Sequence, residues 1–156
     1  MQKEHNDRGD LLRLTKGISG FDADHLIEQD MRTFQSMVYH LVTSEKRAKT
    51  LKFINNPHFV YMQAVIQLAN EQFTILHHRL MPYVSFAKYD EELSFQFVTK
   101  THLHKYFPMC KCFEAVTLNT LLTRDKELHS LSEVEWKYIL YFDSKTIGDV
   151  IFNCWD

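Results

Sequence analysis

Residues 56–81, NPHFVYMQAVIQLANEQFTILHHRLM, carry the pattern on which the fold is read. Phe59, Met62, Ile66, Ala69, Phe73, Leu76 and Leu80 follow one another at alternating steps of three and four, the spacing of one apolar stripe along an α-helix. Val60, Val65, Leu68 and Ile75 add a second strip. His58, Gln63, Gln67, Asn70, Glu71, Thr74 and His78 leave one polar line. A helix apolar on two sides packs against more than one neighbour. Asn56 suits an N-cap, Pro57 suits the first helical position, where a missing N–H costs nothing, and Pro82 ends the run. The spacing predicts a central helix over 57–81.

Toward the N-terminus a second stripe repeats the period. Ile27, Met31, Phe34, Val38 and Leu41 are spaced by four, three, four and three. Asp22 is placed to cap this helix, with Phe21 and Leu26 as its hydrophobic staple and Asp24 and Glu28 near its positive end. Gly17 and Gly20 break any helix before it. The expected span is 22–43. The segment 43–56, TSEKRAKTLKFINN, reads as a solvated connection with room for a short helix burying Ala48 and Leu51. Matching stripes joined by a modest connection predict two long antiparallel helices.

Beyond Pro82 the chain is rich in aromatic and β-branched residues. YVSFAKY and LSFQFVTK, separated by Asp90, Glu91 and Glu92, predict a small β-hairpin over 83–99; a helix over 90–100 competes, because Leu93 and Phe97 are four apart. Residues 101–112 are irregular, and 113–123 are assigned to helix. Ser132 followed by Glu135 is a capping box, with Leu131 and Trp136 as its staple; the competing reading of 136–142, WKYILYF, is a strand. Thr146 with Asp149 repeats the box before Ile147, Val150, Ile151 and Cys154, and Trp155 is too large to be left undocked. The fold expected is therefore mainly α: a single compact helical domain over 11–156, after a mobile segment at 1–10. Two long helices form its spine, with a small hairpin and two or three short helices after residue 108. An α+β arrangement is the alternative.

Composition narrows function by exclusion. A net charge of −2 lacks the cationic surface of a general nucleic-acid binder. No apolar run approaches the roughly 20 residues of a membrane helix. Three cysteines, an odd number, do not make a secreted disulfide framework, so the expected location is cytoplasmic. The four glycines are isolated, which excludes a phosphate-cradling loop, and no hydrolase or metalloprotease signature is present. The basic residues Lys46, Arg47, Lys49 and Lys52 are diluted by Glu45 and have no interleaved aromatics, so they read as a solvated connection.

Two constellations remain. His102, His104, Cys110 and Cys112 place four zinc-type ligands within eleven residues, although a one-residue gap between the cysteines does not match the usual knuckles. The plainer account is a surface strand followed by two half-buried thiols. Cys110 would gain thiolate character in the first turn of a helix starting at Pro108, and a nearby histidine would complete a nucleophile–base pair. His77 and His78 read as helix-end residues that complement the dipole. The second constellation is aromatic: Tyr83, Phe86, Tyr89, Phe95 and Phe97 would form a partner surface if one face of the hairpin were uncovered.

The leading expectation is a small non-enzymatic binding or regulatory protein of the cytosol. It would act on a protein partner or as a homo-oligomer, in the manner of an adaptor or an inhibitor or immunity protein, without cofactor. The alternative is a metal- or thiol-dependent enzyme built on His102, His104, Cys110 and Cys112 with zinc. Under either reading Ile66 is core. Ile66→Asp places an unpaired carboxylate there and is expected to prevent folding, with loss of the cooperative thermal transition in circular dichroism. Retention of the wild-type midpoint would remove Ile66 from the core.

Overall fold

A computed structural model of the chain describes residues 12–88 and 95–155; the N-terminal segment 1–10 and the acidic turn at 90–92 lie outside them. Its centre is an antiparallel sheet, which overturns the mainly α reading. Helix α1 (Met31–Ser44) leads into β1 (Ala48–Ile54), β2 (Tyr61–Leu68), β3 (Glu71–His78), β4 (Tyr83–Lys88) and β5 (Gln96–Val98). A 3-10 helix (Thr101–Tyr106) and β6 (Lys111–Cys112) follow. Then come α2 (Ala115–Leu118), α3 (Glu133–Tyr141) and α4 (Ile147–Ile151). The strands pair in the order β1-β2-β3-β4-β5, and β6 adds to β4 in parallel through Tyr83–Lys111 and Val84–Cys112.

The expected central helix is the β2–β3 hairpin, in register from Tyr61–His78 to Leu68–Glu71. Every residue from Tyr61 to Ile66 and from Phe73 to His78 is buried. Strands covered on both faces have no polar alternation, so steps of three and four can be picked out of them without a helix being present. The turn is also disguised. Two-residue hairpin loops favour Asn-Gly or Asp-Gly, but here Ala69 takes the left-handed conformation at φ 56. Its N–H donates to the carbonyl of Arg47 at 3.1 Å. Asn56 does cap, but it caps a turn: its Oδ1 accepts from His58 N at 2.9 Å and its carbonyl from Phe59 N.

The first helix is shorter than expected. It begins at Met31, where Asp30 accepts from Arg32 N, and Asp22 instead occupies a left-handed turn at φ 53. Phe34, Val38 and Leu41 face the core as the stripe required, whereas Ile27 is 84% exposed. The segment read as a connection contains β1, an edge strand whose register slips between Thr50 and Lys52. Exposed Lys49 and Lys52 with that bulge discourage a further strand from pairing. The 83–99 hairpin is present as β4 and β5, with Ala87 opposite Phe97. Both capping boxes form as read, at Ser132–Glu135 and Thr146–Asp149. They make 136–142 helical against its strand-like composition, and Trp155 is docked at 7% exposure.

Two cores flank the sheet. Met62, Ala64, Ile66, Phe73, Ile75, Val84 and Phe86 point to one side, where α1 and the 3-10 helix cover them with Phe34, Val38, Leu41 and Leu103. Tyr61, Leu76, Ala87 and Phe97 point to the other, against Leu14, Ile18 and the C-terminal residues Trp136, Ile139, Ile151 and Phe152. Among the described residues no helix is long and apolar enough to cross a membrane.

The second layer is tied down through residues 17–19. The buried Glu135 carboxylate accepts from Gly17 N at 2.9 Å, from Ser19 N at 3.1 Å, from the Ser19 hydroxyl, and from Ser132 N at 3.0 Å. Gly17 is required there, because its φ of 91° is left-handed and a Cβ would meet Leu26 Cδ1 at 2.9 Å. Glu135→Gln replaces one accepting oxygen by an N–H₂ group facing other donors. It is expected to lower unfolding free energy by about 2–3 kcal/mol, read from urea midpoints. A wild-type midpoint would show that the carboxylate is dispensable.

Candidate functional site

Of the four residues considered for zinc, His102 and His104 lie in the 3-10 helix, Cys112 in β6 and Cys110 in the turn before it. His102 is exposed. His104 instead stacks on Phe86, with centroids 5.8 Å apart, and its Nε2 is buried without a hydrogen-bond partner. Cys110 and Cys112 are half-buried free thiols beside the α1-covered core. Among the described residues no three His, Cys, Asp or Glu side chains are grouped to hold a metal. No helix begins at Pro108, so Cys110 has no dipole to stabilise its thiolate; its N–H closes a turn on Phe107 O.

The histidine that meets Cys110 is His77. Neighbours in a strand point to opposite faces, so the His77–His78 pair is divided between the two cores. His77 lies with Phe34, ring centroids 5.2 Å apart, and its Nε2 is 3.7 Å from Cys110 Sγ. Its Nδ1 is 2.7 Å from the His78 carbonyl. A carbonyl only accepts, so Nδ1 carries the proton and Nε2 accepts from the thiol. The order thiol, imidazole, orienting carbonyl is that of a nucleophile–base pair. Its electrostatics differ: burial lowers the His77 pKa, and burial raises that of Cys110. Burial, and then Cys110, push the Cys112 thiol up to about 12. The pair is thus a neutral thiol bonded to a neutral imidazole, without the thiolate that such chemistry uses. The chain separation of these two residues, one in β3 and the other in the turn before β6, hid the contact from sequence inspection.

His78 serves the opposite layer. Its Nε2–H donates to Ile18 O at 2.6 Å, and its Nδ1 accepts from Leu80 N at 3.0 Å and Met81 N at 3.1 Å. The two contacts accepted by Nδ1 require the neutral ring, and burial pushes its pKa down to about 4.

Beside this anchor lies a cleft of about 400 Å³, between residues 19–24, residues 57–60, Arg79 and the C-terminal Trp155. Phe21 and Phe59 are half-buried in its walls, and Asp22 and Asp24 are exposed at its edge. Arg79 is directed into the protein. Its Nε donates to Phe59 O at 3.0 Å, its Nη2 to Asn56 O at 2.9 Å, and its Nη1 lies 3.5 Å from Glu28.

The aromatic residues singled out from the sequence are mostly interior. Phe86 is fully buried and Phe97 nearly so, and Tyr83 and Phe95 are half-buried against the C-terminal layer. Tyr89 lies outside the described residues. Among the described residues of the hairpin, Phe86 and Phe97 thus serve the two cores, and Tyr83 and Phe95 keep part of their surface exposed. Of the exposed large apolar residues, which include Ile27, Met109 and Leu121, Leu140, Tyr141 and Phe142 are consecutive, at the end of α3. Leu140 is 62% and Tyr141 79% exposed. Tyr141 contacts Phe142 at 5.0 Å, and Phe142 stacks on Trp155 at 5.6 Å with the rings parallel within 2°. Trp155 continues to Phe21 at 6.1 Å, so the aromatic run reaches the cleft. Three adjacent apolar residues, 140–142, at a helix end were the available sequence signal.

No family model, curated protein or solved structure matches this chain.

The His78 contacts set a pH dependence. An unfolded histidine titrates near 6.5 and the folded one near 4, so the unfolded chain binds the extra proton first. This contribution is complete above pH 6.5, declines as pH falls toward 4, and is lost below that value. The loss is expected to total about 3 kcal/mol in urea unfolding measured across this range. His78→Gln should flatten the slope, and a variant with the wild-type slope would assign the dependence to other groups.

Proposed function

We propose that this protein is a non-enzymatic binding protein of the cytosol that acts by contact with a protein partner, as an adaptor or an inhibitor does. The observation that carries the reading is the exposed run of Leu140, Tyr141 and Phe142, joined through Trp155 to an aromatic-walled cleft. Exposed aromatic surface with few charges is the chemistry that protein interfaces concentrate at their centres.

The neutral state of the His77–Cys110 pair supports the same reading over the thiol-enzyme alternative. A self-association through the same surface is the second form this role takes, and it is separable by experiment. Immobilised wild-type protein is expected to retain a partner from its native cell extract that Leu140→Ser/Tyr141→Ser loses, with circular dichroism unchanged. Sedimentation of the free protein should show a monomer. Identical captured sets for both proteins would overturn the assignment of this surface, and a dimer abolished by the two substitutions would replace the hetero-partner with a second copy.

A further inference from the structure

We infer that the cleft between residues 19–24, residues 57–60 and Trp155 receives a lysine or arginine side chain presented by a protein partner. This rests on the binding role proposed above and specifies the chemistry of what is bound. Three observations converge on it.

The first is shape. A volume of about 400 Å³ is suited to a small group, and it accommodates one long side chain with its adjoining backbone rather than a folded element. The second is the wall. Phe21 and Phe59 present apolar ring surface beside Trp155. Such surface packs against the methylene stem of a basic side chain and attracts its charged head through the ring quadrupole. The third is charge. Asp22 and Asp24 both lie on the cleft and both are exposed. Among the described residues neither carboxylate has a hydrogen bond or ion pair.

The cation already present does not cancel them. Arg79 spends its donors on the carbonyls of Phe59 and Asn56, and its remaining nitrogen faces Glu28. That pair is internally compensated, and among the described residues lining the cleft the two carboxylates are in excess at the rim. An anionic ligand would meet those carboxylates and find the guanidinium engaged. A neutral apolar ligand would leave the rim unused. A cation carried on an aliphatic stem satisfies both wall and rim.

The test uses the full chain labelled with ¹⁵N and titrated with three capped amino acids: Nα-acetyl-arginine amide, Nα-acetyl-norleucine amide and Nα-acetyl-glutamate amide. The arginine probe is expected to move the Gly20 and Phe59 amides and the Trp155 indole saturably, binding about tenfold more tightly than norleucine. Asp22→Asn/Asp24→Asn should weaken the arginine probe about fivefold and leave norleucine unchanged, with spectral dispersion retained. Asparagine tolerates the left-handed backbone at position 22, so this variant keeps the loop conformation. Equal binding of arginine and norleucine, tighter binding of glutamate, or no saturable shift would overturn the proposal. So would movement of the same resonances by Lys3→Gln/Arg8→Gln without any probe, which would give the cleft to the chain's own N-terminal residues. If cation binding fails while capture dependent on Tyr141 persists, the cleft assignment alone falls. If capture fails while cation binding holds, the Leu140–Tyr141 surface falls instead.

Discussion

Three buried polar side chains from three parts of the chain converge on the backbone of Gly17, Ile18 and Ser19. Glu135, at the start of α3, takes the N–H groups of Gly17 and Ser19. His78, at the end of β3, donates to Ile18 O, and Asn153, after α4, donates to Ser19 O at 2.8 Å. A buried carboxylate is tolerated only when its oxygens are satisfied, and a buried backbone segment only when its amides are. Each group here meets the other's requirement. Removing any one of them leaves the backbone groups it pairs without a partner, so the sheet, the N-terminal segment and the C-terminal helices meet at one polar junction. The cleft opens directly beside it, because Ser19 and Asn153 form part of its lining. The geometry of the cleft is therefore set by the same contacts that hold the layers together.

The sheet itself separates two chemistries. Strand alternation sends His77 to the α1 side and His78 to the C-terminal side. On the first side a histidine meets a cysteine in an apolar setting that keeps both neutral. On the second a histidine is a structural connector with every nitrogen assigned. Each ring's acceptor nitrogen already faces a donor, the Cys110 thiol for His77 and the Leu80 and Met81 amides for His78. The surface features are elsewhere, at the end of α3 and in the cleft, where the cores leave aromatic edges exposed to solvent.

Local signals in the sequence were reliable where the determining contacts are local. The boxes at Ser132–Glu135 and Thr146–Asp149 close through side chains three residues apart, and both helices start where those residues place them. The stripe of Phe34, Val38 and Leu41 is buried as its period requires. The signals failed where burial is two-sided or a turn lacks its usual residues. The 61–78 hairpin is apolar on both faces and turns at Ala69 rather than at Asn-Gly, so nothing local distinguishes it from a buried helix. Phe86 and Phe97 are aromatic for the interior, a use that composition cannot separate from an interface.

What the sequence determined by itself was the buried stripe of Phe34, Val38 and Leu41 and the two capping boxes. These depend on residues within a few positions of one another. Tertiary structure alone decided that the central apolar stretch is a pair of strands. It also decided that His77 meets Cys110 while His104 stacks on Phe86, and that Asp22 and Asp24 border an aromatic cleft with Arg79 turned inward. Each of these depends on contacts between residues far apart in the chain, formed only when both faces of the sheet are covered. The physical reason is that burial of a whole segment erases the polar–apolar contrast from which secondary structure is read, and long-range packing then selects among the conformations that remain.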